Sequence, residues 1–253
     1  MVLQEKLTSM KNPRVVGWKK LAARKGRRES GCFLAEGRKM VEEALKSGFP
    51  VETILLREGT MPEHLPVGIP VYELSEAVFD SLSDTVTPQG ISAVVRMKER
   101  TAEGKILLAL DGVQDPGNVG TIIRTADSAG FDGVILSEQC ADVFSPKVLR
   151  ATMGSVFHLP IEVAHDFPGR IARLNEQGYA TLSSQLDGGD FYAGVASVTP
   201  PLCLIIGSEG NGVTEAVKAL ATHHVKLPMR GDAESLNAAV AAGIMMYEIM
   251  REK

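Results

Sequence analysis

The sequence lacks the features of a membrane, secreted or metal-binding protein. Its 253 residues hold three cysteines, which are far apart and form no C-x-x-C pair, so neither a disulfide framework nor a zinc site is expected. No apolar run approaches the roughly 18 residues of a membrane span. The first residues, MVLQEKLTSMKNPR, lack the apolar core of a signal peptide. We therefore expect a cytoplasmic protein without a membrane segment or a metal, whose cysteines are small apolar core residues.

The familiar nucleotide-binding and hydrolase signatures are also missing. The glycines of Gly207-x-x-Gly210-x-Gly212 have the reverse of the G-x-G-x-x-G spacing. The chain contains neither a Gly-Lys-Ser/Thr P-loop nor a G-x-S-x-G nucleophile frame. These absences argue against hydride transfer, nucleoside triphosphate hydrolysis and serine hydrolase chemistry.

Charge is distributed unevenly along the chain. The net charge is −4, but residues 1–30 carry nine cationic and two acidic side chains, a net charge of +7, which leaves −11 for the rest. Pro13 suits the first position of a helix and Gly26 suits its end, so we predict a basic helical arm over residues 1–30. The arm either binds phosphates or is a solvated helix, and charge alone does not decide. Its candidate phosphate-binding residues are Arg24, Lys25, Arg27 and Arg28.

Two α/β regions follow the arm. Residues 31–98 alternate short strand and helix patterns. The polar stretch KERTAEGK, residues 98–105, separates them from a longer region over residues 105–253. There, strands and helices alternate in the order that is typical of a parallel sheet with helices on its faces.

The last predicted helix runs from Ser235 to about Arg251 and has two apolar edges. One edge is a stripe at helical spacing, which we expect to face the core; it contains Leu236, Val240, Ile244 and Tyr247. The other edge holds Ala239, Met246 and Met250, which a monomer would leave exposed to water. A homodimer that covers this second edge is therefore expected.

Three segments place glycine, asparagine or serine at the end of a predicted strand, where α/β sheets bind ligands. The first, residues 111–124, contains Asn118 and Arg124. The second, residues 206–212, is the glycine-rich turn after the most apolar strand, and the third, residues 227–237, leads into the last helix.

The segments DPGNVGTIIRTADSAG, LIIGSEGNGV and LPMRGDAESLNAAVAAGI resemble, in order and spacing, the three motifs of the SpoU-type, or TrmH-like, RNA 2′-O-ribose methyltransferases of the SPOUT superfamily. The resemblance covers roughly residues 105–250. Residues 12–45, NPRVVGWKKLAARKGRRESGCFLAEGRKMVEEAL, are similar to the L30e-like substrate-binding domain of the family's rRNA-modifying members. One departure is Asp115, where many members have asparagine.

The resemblance implies a smaller N-terminal α/β domain that binds RNA over residues 31–98. It also implies a parallel-sheet methyltransferase domain with a trefoil knot over residues 105–253, a homodimer, and S-adenosylmethionine as cofactor. Matched by motif, the cofactor-binding residues are Gly207, Glu209, Gly210, Leu227, Met229 and Leu236. The residues of the reaction are Arg124, Asn118, Glu209, Ser235 and Asn237.

The expected reaction transfers a methyl group to a ribose 2′-hydroxyl of RNA, with 23S ribosomal RNA favoured because of the basic arm and the L30e-like domain. Two alternatives stay open: a tRNA 2′-O-methyltransferase, and a non-catalytic RNA-binding protein of the same fold. In the family Arg124 would activate the hydroxyl. Because a guanidinium stays protonated in proteins, we expect Arg124 instead to bind the target phosphate and to stabilise developing negative charge.

Overall fold

The structure is a computed structural model that describes residues 3–62 and 66–251. The ends of the predicted arm and of the predicted last domain, residues 1–2 and 252–253, lie outside that range. The chain divides into two compact units. The first holds Met1–Lys98 and Asp142–Phe157, and the second holds Glu99–Ala141 and His158–Lys253. The break after Lys98 falls at the polar boundary in the sequence, whereas residues 142–157 belong to the first unit although the sequence suggests one continuous second domain.

The first unit is built on a five-stranded sheet in the order β1-β4-β3-β5-β2. Strands β1, β4 and β3 pair in parallel, and β5 runs antiparallel to both β3 and β2. The strands are β1 Leu3–Leu7, β2 Cys32–Glu36, β3 Val51–Arg57, β4 Val71–Leu74 and β5 Ile91–Arg96. The sequence predicts four of these five strands, and β1 is the exception.

The first two helices of the first unit lie within the predicted arm. The helices of this unit are α1 Pro13–Lys19, α2 Arg24–Ser30, α3 Arg38–Lys46, α4 Glu76–Asp80 and α6 Pro146–Thr152, which follows α5 of the second unit in chain order. A single helix over residues 14–25 is wrong: a 3₁₀ turn, Lys20–Ala22, separates α1 from α2. Gly26 does not end a helix but lies inside α2.

The arm is part of the folded unit. Val15 and Leu21 are buried in its core together with Leu7 and Tyr72. Strand β1 pairs with β4 at the edge of the sheet. Residues 3–30 are therefore held in the first unit by core packing and by the pairing of β1 with β4, which a helix standing apart in solvent would lack.

Arg27 occupies an environment that its charge does not suggest. Its side chain is 3% exposed, and it donates hydrogen bonds to the carbonyls of Leu21, at 2.7 Å, and Ala22, at 2.8 Å. It also forms an ion pair with Asp142, at 2.7 Å. The expectation that Arg27 contacts RNA does not fit this burial, because all of its partners lie inside the first unit. Arg24, Lys25 and Arg28 are exposed as expected.

The second unit is built on a six-stranded sheet in the order β11-β9-β10-β6-β7-β8, and every neighbouring pair is parallel. Strands β6, β7 and β10 are buried throughout their length. The strands are β6 Ile106–Asp111, β7 Gly133–Ser137, β8 Ile161–Ala164, β9 Ala180–Asp190, β10 Leu202–Gly207 and β11 His223–Lys226.

Helices pack on this sheet as a parallel topology requires. Within the described residues, they are α5 Pro116–Ala129, α8 Phe167–Glu176, α9 Phe191–Ala196, α10 Glu215–Lys218 and α11 Ala238–Arg251. Helix α7, Ser155–His158, lies where the chain passes from the first unit to the second, and three of its four residues belong to the first. The Asp115 side chain caps α5 by accepting a hydrogen bond from the backbone amide of Asn118, and Pro116 takes the first helical position. In the described part of the chain no helix has both the length and the apolar character that crossing a membrane requires.

The expected core face of the last helix is wrong. Helix α11 buries Ala239, Met246 and four other residues, including Met245 and Ile249. The stripe that was expected to be buried is instead 39–55% exposed, and its members are Leu236, Val240, Ile244 and Tyr247. Two apolar edges run along one helix, and the packing of α11 against α5 and β10 buries the edge that contains Ala239 and Met246.

Candidate active site

The three motifs follow strands that end on the same side of the second unit's sheet. Strands β10 and β6 are neighbours in parallel register, and Gly207 pairs with Asp111 at their carboxyl ends. The first motif follows β6, the second follows β10, and the third follows β11. Parallel topology therefore brings together segments whose residues Asn118 and Asn237 are 119 positions apart in sequence.

A chain of side-chain hydrogen bonds joins the three motifs. The Asn118 side-chain amide donates to the Glu209 carboxylate. Asn237 in turn donates to the side-chain oxygen of Asn118, at 3.1 Å. Each motif contributes one member, so the arrangement orients all three side chains relative to one another. The sequence predicts these three residues as site residues, and the structure brings them together.

The turn after β10 is held closed by its own backbone. Ser208 and Gly212 exchange backbone hydrogen bonds of 3.0 and 2.9 Å. Gly207 packs so tightly that a Cβ atom there would lie 2.0 Å from the backbone carbon of Gly212. Asp111, which is buried, accepts hydrogen bonds from the amide and the hydroxyl of Thr214, both at 2.8 Å. The turn is thus anchored to β6 as well as to β10.

A cavity of about 280 Å³ opens beside this turn, entirely within the second unit. Its apolar wall includes Ile206, Leu227, Met229 and Met245, and the glycine-rich turn supplies backbone groups. All six residues expected to bind the cofactor line it: Gly207, Glu209, Gly210, Leu227, Met229 and Leu236. Apolar walls with a few polar backbone groups suit a flat heteroaromatic ligand.

The structure separates two residues of the proposed reaction from the hydrogen-bonded group. Ser235 lines the cavity, but it does not open the last helix, because Asn237 is the residue whose side chain accepts from the amides of Ala239 and Val240. Arg124 is exposed on α5 and does not line the cavity. It lies about 9 Å along the helix axis from Asn118. Within the described residues its guanidinium forms no hydrogen bond or ion pair.

Sequence reasoning missed one wall and most of the charges of the cavity. The middle of β9 contributes Ser184, Gln185 and Leu186 to the wall, although this stretch carries no recognisable signature. Charged residues of both signs also line it: Asp187, Glu234, Lys218 and Lys226 in addition to Glu209. Lys218 donates to Glu215, at 2.7 Å, and this hydrogen bond raises the pKa of Lys218. Only the position of β9 beside β10 in the sheet could have revealed this wall.

A family model described as the SpoU rRNA Methylase family matches residues 105–247. The chain belongs to this family. A second model, the MRM3-like substrate binding domain, matches residues 12–93. The N-terminal α/β unit and the C-terminal parallel-sheet unit confirm the fold class that the resemblance implied.

Similar proteins match nearly the whole chain. The 23S rRNA (guanosine(2553)-2′-O)-methyltransferase RlmP of Bacillus subtilis is 42% identical over 97% of this chain and 99% of its own. The AdoMet-bound rRNA methyltransferase from Sinorhizobium meliloti is 33% identical, with a TM-score of 0.86 and 97% of each chain covered. The SpoU methyltransferase AviRb from Streptomyces viridochromogenes, in complex with AdoMet, is 29% identical, with a TM-score of 0.85 over 95% of this chain and 98% of that one.

These matches confirm the predicted enzyme class, an S-adenosylmethionine-dependent RNA 2′-O-methyltransferase. The similarity extends over both units rather than over the methyltransferase unit alone. Family membership does not by itself assign a role to any side chain, and the roles given below are therefore proposals.

Proposed function

We propose that this enzyme methylates a ribose 2′-hydroxyl of 23S ribosomal RNA. The observation that carries the proposal is the hydrogen-bonded group of Asn118, Glu209 and Asn237 beside the cavity, which assembles one residue from each family motif. The choice of ribosomal RNA is supported by the substrate-binding family model over residues 12–93 and by a relative, named as a 23S rRNA methyltransferase, that matches both units.

The cavity fits S-adenosylmethionine by size and by chemistry. Its volume of about 280 Å³ is close to the lower end for ligand sites, and its apolar wall suits adenine. Its lining includes carboxylates and ammonium groups, and the cofactor carries charges of both signs. Bound there, S-adenosylmethionine supplies an electrophilic methyl group. We assign its binding to Gly207, Glu209, Gly210, Leu227, Met229 and Leu236.

The reacting hydroxyl must be oriented before its oxygen can attack the methyl carbon in line with the departing sulfur. Asn118 and Asn237 are suited to this task, because their amides are fixed by each other and by Glu209. Ser235 adds a hydroxyl at the cavity wall. The new carbon–oxygen bond forms as the carbon–sulfur bond breaks, and the hydroxyl proton leaves for a neighbouring acceptor.

Arg124 is assigned to the RNA rather than to the cofactor. Its guanidinium is exposed, without an ion pair among the described residues, and outside the cavity lining. A guanidinium binds phosphate with two parallel hydrogen bonds and stabilises negative charge that develops on the ribose oxygen. A phosphate oxygen of the substrate then provides a route for the proton.

The exposed cations Arg24, Lys25 and Arg28 on α2 are proposed to contact the RNA. The enzyme is proposed to act as a homodimer in the cytoplasm, with a knotted second unit. The exposed apolar stripe of α11 supports the dimer, because its three large side chains Val240, Ile244 and Tyr247 would otherwise face water. This assigns the interface to Val240, Ile244 and Tyr247 instead of the edge that the sequence suggested.

The test is to map ribose methylation in ribosomal RNA and tRNA from a deletion strain and its parent. Loss of one 23S rRNA methyl group, restored by the intact gene and not by an Asn118→Ala copy, is the expected result. Loss of a tRNA methyl group would favour the tRNA enzyme instead. If no methyl group is lost and calorimetry detects no S-adenosylmethionine binding, the chain is a non-catalytic RNA-binding protein.

A further inference from the structure

Five exposed cations lie on α1, the 3₁₀ turn and α2, and together they are called the basic surface: Lys19, Lys20, Arg24, Lys25 and Arg28. Only Lys25 has an acidic neighbour, Glu29, at 3.8 Å. The other four form no ion pair or side-chain hydrogen bond with any residue that the structure describes. The basic surface therefore presents nearly uncompensated positive charge.

Several other cations of the first unit have acidic partners. Lys6 pairs with Glu58, and Arg96 pairs with Glu52. Arg57 likewise contacts Asp80, at 3.0 Å. Acidic partners are thus available within this unit, yet among the described residues only Glu29 forms an ion pair with a cation of the basic surface, and the nearby Asp142 is paired with Arg27. Clustered like charges repel one another, so the arrangement favours a polyanion that neutralises them from outside.

The backbone beneath these cations is fixed. Gly26 packs against Lys20 so closely that a Cβ atom at residue 26 would lie 2.1 Å from the Lys20 carbonyl oxygen. This contact holds the start of α2 against the turn. The Arg27 guanidinium donates hydrogen bonds to two carbonyls of the same turn and forms an ion pair with the Asp142 carboxylate. Arg24 and Arg28 are one helical turn apart and lie on one face of α2.

The basic surface offers no ring on which a base could stack. No aromatic residue occurs between residues 19 and 30, all of which the structure describes. The nearest, Trp18, is partly buried and packs on Tyr72 with 5.5 Å between ring centroids. The guanidinium of Arg14 lies over the Tyr72 ring, with its central carbon 5.2 Å from the ring centroid. Proteins that bind single-stranded RNA commonly combine cations with exposed aromatic rings, and this surface has only the cations.

We propose that the basic surface binds the phosphate backbone of an RNA double helix without reading its sequence. Helical RNA is recognised mainly through its shape, phosphates and 2′-hydroxyls, and a rigid array of cations suits the regular phosphates of a duplex. The inference rests on the proposed RNA-methylating function and extends it. It adds Lys19 and Lys20 to the RNA-contacting residues, and it identifies duplex RNA as the element of the substrate that the first unit holds.

The test measures binding of an RNA duplex of about 20 base pairs and arbitrary sequence over a range of salt concentrations. Two double variants of the full chain carry the test: Lys19→Glu/Lys20→Glu and Arg24→Glu/Arg28→Glu. Each should lower the slope of log K against log salt by about 1.5, since each lost phosphate contact removes about 0.7–0.9. The matched control is Lys39→Glu/Lys46→Glu, which reverses two exposed cations on α3 and should change the slope by less than half as much.

Thermal unfolding and S-adenosylmethionine calorimetry show whether each variant is folded, and Lys19→Ala/Lys20→Ala gives a milder change should a reversal disturb α1. Unchanged slopes in folded variants, or an equal change in the control, would overturn the inference. So would equal affinity for a polyuridine strand of the same length. A parent protein that binds no RNA and transfers no methyl group would instead refute the proposed function itself, so the two failures are distinguishable.

Discussion

Replacing Gly207 by alanine tests whether the tight turn after β10 shapes the cofactor site. The added Cβ would meet the Gly212 carbon at 2.0 Å and the Val213 nitrogen at 2.1 Å, and both are backbone atoms. To reach an ordinary contact, the turn would have to move by about 1.4 Å, because contacts shorter than 3.4 Å are strained. Overpacking of a closed site lowers the free energy of unfolding by about 1–3 kcal/mol. Because the added Cβ would meet backbone atoms rather than a flexible side chain, we expect Gly207→Ala to lie near the upper end of that range.

A loss of about 3 kcal/mol lowers the melting temperature of a chain of this size by roughly 6–12 °C. Calorimetry should also show at least a tenfold weaker affinity for S-adenosylmethionine, which corresponds to about 1.4 kcal/mol. Gly210→Ala is the matched control for stability, because a Cβ at Gly210 has no atom within 4 Å. It should leave the melting temperature nearly unchanged. Equal melting temperatures for both variants would refute the steric reasoning.

Three further predictions concern other parts of the molecule. Arg124→Ala should lower single-turnover methyl transfer by about 10²–10³-fold while leaving cofactor affinity nearly unchanged; a variant with more than half the parent rate would remove Arg124 from the mechanism. Arg27→Met should destabilise the chain by about 3–5 kcal/mol in denaturant unfolding, because the largely buried Asp142 carboxylate loses its partner. Asp142→Asn added to it should recover part of that loss, and no recovery would contradict the ion-pair explanation. Burial raises the pKa of Cys32 to about 11 and also raises that of Cys140 and Cys203, so iodoacetamide at pH 8 should label none of the three in the native protein and all three in denaturant.

The sequence predicts most of the regular structure because local signals agree with packing. Pro13 begins a helix at its first position, as expected, and the unbroken apolar run before Gly207 is the buried strand β10. The three motifs likewise identify Asn118, Glu209 and Asn237 from the sequence alone. Their hydrogen bonds depend on side-chain positions, which only the folded sheet defines.

The failures have a common physical cause, since each depends on a contact that is distant in sequence. The sequence predicts Arg27 to be a surface cation because its partner Asp142 lies 115 residues away along the chain. The sequence places the residues of β1 in a basic arm because β4, with which β1 pairs, follows more than 60 residues later. On α11, both edges are apolar, and only the neighbouring α5 and β10 decide which one is buried.

The division of the first unit into two stretches of chain limits how the protein can be shortened. Phe144 stacks on Phe33 with ring centroids 4.7 Å apart, and Phe157 meets Phe49 at 5.3 Å. A fragment that begins at residue 99 would carry the 142–157 segment without the sheet that covers these rings. A fragment that ends at residue 98 would leave Phe33 and Phe49 uncovered and Arg27 without its carboxylate. We therefore expect fragments 1–98 and 99–253, expressed separately, to aggregate. A rearranged chain in which residues 142–157 are joined to residues 1–98 would keep the core of the first unit complete.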